Sequence, residues 1–346
     1  MYLVCTSWKR WHHAPSTKKA CDVHFQRHLN TSGIRTRAQQ RKKVINLGIQ
    51  ALMGTFAGHI IPSLAFTLLG LWHTFNTIKA YILRGPTGFS SRFWYPLNPL
   101  PFNIKHLELI LIITFSIIAI VMQILDFPFF QFSFKLIDYE HATMFLHLAI
   151  YAGVALVVEL TDLQDNLSGL VGILAASVFG QELFLLHFHS ADHGGLEGHY
   201  HWLLQLIVFV SLAAAIMTSV SPNNFVVALA LSISVVFQGC WFMNMGFMLW
   251  VPQFIPSGCV LRLGEDDMLG AVACGAEASL RAKALANLQF SWILAGILIS
   301  TSILCLCMSG RCPERNKSIP YQKLHTRGTD VAQISMEIDC SKSVHP

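Results

Sequence analysis

The chain has 346 residues, 53% of them hydrophobic and only 12% charged, with a formal net charge of +5. That charged share is about half of what an ordinary soluble domain carries, which excludes a disordered chain, a collagen-like repeat and a soluble enzyme. The positive balance does not point to nucleic acid, because the basic residues gather at the two ends; the nine cysteines include no CxxC pair and so no zinc-finger framework.

Residues 1–52 hold ten Lys or Arg, one acid (Asp22) and no apolar run of membrane length. They are expected to be a basic, disordered extension outside the fold, with the working start at Met53. Residues 53–310 hold only eight Lys or Arg and form the expected seven-helix transmembrane domain. A bilayer core of about 30 Å needs about 20 apolar residues in a helix. Seven windows meet this, at about 55–78, 106–125, 139–160, 167–189, 201–220, 225–249 and 287–308. Backbone facing lipid must satisfy its own hydrogen bonds, so these windows are predicted as helices. Pro, Gly and Asp fall between them, and Trp and Tyr lie mostly near their ends, as interfacial aromatics do. The fold class is therefore an all-α membrane protein. Residues 311–346 are polar and are expected to be a disordered cytosolic tail.

Lysine and arginine in the loops favour a cytosolic C-terminus and Met53 outside or in a lumen, in the endomembrane system or the plasma membrane. That orientation puts Cys259 and Cys274 in an oxidising compartment, where a disulfide across their short loop is expected.

Several stretches carry a resemblance: Met53-Gly-Thr-Phe-Ala-Gly-His59, Gly70-Leu-Trp-His73, His106-Leu-Glu108, Glu140-His141, His187-Phe-His-Ser-Ala-Asp-His193 and Gly198-His-Tyr-His201. Together they resemble the transmembrane protein 45 family, which includes transmembrane epididymal protein and carries domain of unknown function 716, and the fit is best to its plant branch. The resemblance covers about residues 53–308. It implies a multi-pass membrane protein without a settled activity and, through plant members named for a response to viral infection, an association with defence.

Ionisable groups inside membrane spans are costly and mark function by default. Counting along the alternating spans places His59, Glu140, His141, His147, Glu182, His187, His189, His193 and His201 toward one side of the bilayer, the outer side of the expected orientation. Glu140 and His147 share a helix face, as do Glu182 and His189, being seven residues apart. Imidazoles and carboxylates from several helices are the parts of a metal site, and zinc suits them best. The same groups also fit a metal-free hydrogen-bond or proton network, or packed structural histidines. With metal present, Asp192, Ser190 or Glu182 would be the catalytic candidates of a zinc-dependent membrane hydrolase, by analogy with alkaline ceramidase-type enzymes. A metal or proton transporter is a further alternative. His73, His106 and Glu108 are expected to be interfacial and Glu159 solvated. The bilayer is the only partner implied, and no nucleic acid.

Overall fold

The computed structural model describes residues 56–96, 105–126, 131–132, 136–161, 163–188, 195–263 and 269–311. The expected extension at 1–52, all of the expected 311–346 tail except Arg311, and His189, Ser190, Asp192 and His193 lie outside them.

Among the described residues, seven helices are long and apolar enough to cross a membrane. They are α1 (Phe56–Gly88), α2 (Leu107–Ile124), α3 (Leu136–Leu160), α4 (Gln164–His187), α5 (Gly195–Val220), α6 (Phe225–Trp250) and α7 (Ala276–Arg311). Even the shortest, α2, has 18 residues, within the range of about 17–25 that spans a bilayer core. Among the described residues, two short antiparallel pairs fill connections: β1 (Leu125–Asp126) with β2 (Gln131–Phe132), and β3 (Cys259–Leu263) with β4 (Leu269–Cys274). The second hairpin places Cys259 opposite Cys274, and the two are disulfide-bonded.

Helices α5 and α6 form the centre. Half of the most apolar stretch of α6 is buried, against 6% of that of α7. The stripe Leu196, Tyr200, Leu203, Leu204 and Ile207 repeats at helical spacing on α5 and meets Trp241, Met245 and Leu249 of α6. Trp241 is fully buried, stacked on Tyr200, with its indole N–H donated to the Tyr200 carbonyl. It belongs to the core and not to an interfacial belt. Helix α1 meets α6 where side chains are smallest. A Cβ on Gly70 would lie 2.5 Å from the Val236 nitrogen, and one on Gly239 would run into Thr67. Gln238 of α6 donates to Ser211 of α5 at 2.8 Å, and Asn244 of α6 to Gln289 of α7 at 3.2 Å.

Three helices differ in extent from the hydropathy windows. Helix α1 continues to Gly88, because Ile78 and Tyr81 in its last turns still pack, Tyr81 stacking on Phe225. Helix α5 starts at Gly195, since Leu196 and Tyr200 have core to enter. That burial outweighs a glycine cost of about 1 kcal/mol. Helix α7 starts at Ala276. Its first turns carry Glu277, Arg281 and Lys283, which hide them from a hydropathy window, yet Ala278, Ala282 and Ala286 are buried on one face.

Candidate functional site

The helices alternate in direction, so polar residues collect at two ends. One end holds the ends of α1 and α3 and the start of α2. Helix α2 begins with Leu107 and Glu108, a position where the helix dipole favours a carboxylate. Glu108 is only 4% exposed. Its Oε2 accepts the indole N–H of Trp72 at 2.9 Å and the backbone N–H of Tyr95 at 2.8 Å. Its Oε1 lies 2.7 Å from His73 Nε2. The indole and the amide have only protons to give, so Oε2 is an unprotonated oxygen. One proton is then shared between Oε1 and His73 Nε2. Helix α1 supplies Trp72 and His73, and the segment after α1 supplies Tyr95.

That segment, residues 89–96, folds back over the bundle and is held residue by residue. Phe89 is buried against Tyr81 and Phe225. The backbone N–H of Ser91 donates to the Pro222 carbonyl at 2.8 Å. The Phe93 carbonyl accepts from the Tyr151 hydroxyl. The Trp94 indole donates to Glu159 at 3.0 Å, and Lys105 lies 3.8 Å from the other Glu159 oxygen. The Tyr95 hydroxyl pairs with Thr77 at 3.0 Å. Burial, reinforced by the nearby Glu108 charge, pushes the Tyr95 phenol above its ordinary value, so it stays protonated at neutral pH. We call this segment the clasp. The buried carboxylates of Glu108 and Glu159 and the buried Tyr151 phenol hold Tyr95, Trp94 and Phe93 respectively.

These residues correct the sequence expectation. Glu108 does not reach out to solvent but is buried in the bundle, and the Glu159 side chain, 8% exposed, is not solvated. A carboxylate is removed from water only where donors replace it, and those donors sit 13, 35, 36 and 65 residues away in sequence. A signal was present: Glu108 is the one acid of span two, and an aromatic run, Phe93-Trp94-Tyr95, lies between Arg92 and Pro96.

Beside Glu108 lies a cavity of about 80 Å³. It is bounded by α1, α2, α3, α4 and α6 and by Arg92 and Phe93 of the clasp. Its walls are apolar except for His73, Arg92, Glu108, Tyr151 and Ser232.

The opposite end carries the imidazoles, some bonded within their own helix and others in contact with a neighbouring one. His147 Nδ1 lies 3.0 Å from the Thr143 carbonyl, and His201 Nδ1 lies 3.1 Å from that of Glu197, each one turn back on its own helix. His187 contacts Gln205 at 3.3 Å, whose amide donates to the Leu186 carbonyl. His199 contacts Asn287 of α7 at 2.8 Å and stacks on Trp202. His59 sits against Phe242 and Trp250, beside Gly246. Glu140 and His141 lie in the first turns of α3, and Glu182 is buried near the end of α4. Among the described residues, no three His, Cys, Asp or Glu side chains group closely enough to hold a metal ion. His189, Ser190, Asp192 and His193 lie outside the described residues.

Residues 168–306, from the first turns of α4 to the last turns of α7, match the model of a family of unknown function (DUF716); the chain is over this stretch similar to that family, and Glu108 and the clasp precede the matched part.

Proposed function

We propose that this multi-pass membrane protein binds a small ligand in the cavity beneath the clasp. One observation carries the reading: a buried carboxylate saturated by donors from α1 and the clasp forms one wall of a cavity bounded by five helices. Polar groups inside a membrane bundle mark ligand or ion sites by default, and an apolar cavity with a few convergent polar groups is the usual form of such a site. The test is thermal stability of the full-length protein in nanodiscs, titrated with small straight-chain probes. Ala175→Leu, which fills the cavity, should abolish the stabilisation by the bound probe while leaving the unliganded protein folded. Stabilisation that persists in Ala175→Leu sinks the reading.

The imidazole end supports a second reading, a bound divalent metal with zinc best suited. It is favoured by the tautomers. With Nδ1–H of His147 and of His201 on a backbone carbonyl, Nε2 is the nitrogen bearing the lone pair, which is how a ligating histidine is commonly held. Completing a site would need His189 or His193. A metal with an open position there would permit hydrolysis with Asp192 or Glu182 as base. Metal analysis of purified protein, wild type against His147→Ala, decides this reading. Absence of stoichiometric metal from wild type ends it.

A further inference from the structure

We infer that the cavity takes a carboxylate on a slim, unbranched aliphatic chain, with the carboxylate at Arg92; this rests on the ligand-pocket reading above. Glu108 is filled by three donors and has little left to offer a cation. The Tyr151 hydroxyl is donated to the Phe93 carbonyl, and the Ser232 hydroxyl to the Leu229 carbonyl of its own helix. His73 spends its Nε2 on Glu108. Arg92 forms no ion pair with a described carboxylate. The wall group with donors still to offer is therefore Arg92, a guanidinium with five donors and a fork that matches a carboxylate.

Depth supports an elongated occupant with one polar end. Each helix can be followed inward from the clasp. On α1 the lining passes from His73 through Leu69 to Phe66, on α2 from Glu108 to Ile112, and on α3 from Tyr151 to Leu148. Helices α4 and α6 carry it on from Ala175 to Phe179 and from Leu231 to Val235. The charged side chains stand at the clasp end and the floor is aliphatic and aromatic. From His73 to Phe66 is about two helical turns, roughly 10 Å along the axis. The volume of about 80 Å³ is roughly half that of a cavity known to admit benzene. Lining residues spread over that depth around so small a volume suit a narrow chain better than a ring or a branched body.

The experiment uses full-length protein in nanodiscs and three probes of equal length: hexanoate, hexanol and hexylammonium. Hexanoate should raise the unfolding temperature saturably, and the other two much less. Arg92→Gln, at an exposed position, should weaken hexanoate at least about tenfold, and Arg92→Lys should recover part of the loss. Two sources share this chemistry, a soluble short-chain acid and a bilayer fatty acid. Affinity that peaks at hexanoate selects the first, and affinity that rises on to palmitate selects the second; either supports the carboxylate. Equal binding of hexanol or hexylammonium, or unchanged hexanoate binding in Arg92→Gln, overturns the carboxylate and leaves the pocket standing. Failure of all three probes removes both.

Discussion

The two ends of the bundle hold polar groups in opposite ways. At the clasp end, Glu108 and Glu159 are buried and are answered by residues far away in sequence, so each bond closes tertiary structure. At the imidazole end, His147 and His201 bond their own helices, and a disulfide closes the hairpin between α6 and α7. The richer collection of ionisable residues thus includes histidines bonded within their own helix, which neither Glu108 nor Glu159 is. Density of histidine in a sequence does not measure how much the fold depends on it. Exclusion from water, with donors supplied from other segments, does.

The contrast breaks most visibly at Glu108. Glu108→Ala leaves the donors of Trp72, His73 and Tyr95 buried without an acceptor and should cost about 3–5 kcal/mol, read by unfolding in detergent micelles. Glu108→Gln keeps an acceptor and should cost less. If Glu108→Ala is as mild as a surface change, the clasp does not depend on its carboxylate. The covalent closure at the other end comes next. Replacing Cys259 and Cys274 together by Ser should cost about 2–4 kcal/mol. Hydrogen exchange should then rise in the hairpin and the start of α7 and leave residues 89–96 protected. Equal loosening at both ends would erase the distinction between them.

A smaller effect is expected from packing beneath the clasp. A Cβ on Gly172 would stand 3.2 Å from the Phe93 ring and run into Ser219. Gly172→Ala should cost about 1–3 kcal/mol and raise exchange at residues 89–96. Tyr95 provides a pH readout. Its phenol is held above the ordinary 10.0 by burial, so folding favours the protonated form. Its contribution is complete below about pH 10 and is lost as pH rises beyond that, through its folded value. Tyr95→Phe should lose about 1 kcal/mol at neutral pH with the Thr77 bond and should soften the alkaline loss of stability. The least effect belongs to the imidazoles. His147→Ala in metal-free protein should change stability by less than about 1 kcal/mol, because its described bond is to its own helix. A loss comparable to that of Glu108→Ala would make the imidazole end the tertiary anchor and reverse the comparison.

Seven membrane-length helices were legible without any tertiary information. A bilayer demands about 20 apolar residues and an internally bonded backbone, and both demands are local. The ends of those helices were less legible. Ala278, Ala282 and Ala286 extend α7 through a stretch whose charged residues face away from the core, and no hydropathy window distinguishes that from a loop. The helices that carry the histidines followed from counting along alternating spans. What those histidines touch did not: His199 meets Asn287 on α7, 88 residues away.

Glu108 marks the boundary between what the sequence determined and what the tertiary structure decided. Its position at the first turn of a span follows from hydropathy alone. A carboxylate at a helix start is equally compatible with water, with a headgroup or with burial, because helix periodicity says nothing about a partner on another helix. Burial was settled by the return of residues 89–96, which brings the Tyr95 amide to an oxygen that Trp72 also reaches. The bilayer selects helices through backbone hydrogen bonding, a property of each segment by itself. The site depends on which segments meet, and the donors that hold Glu108 away from water come together only in the folded bundle.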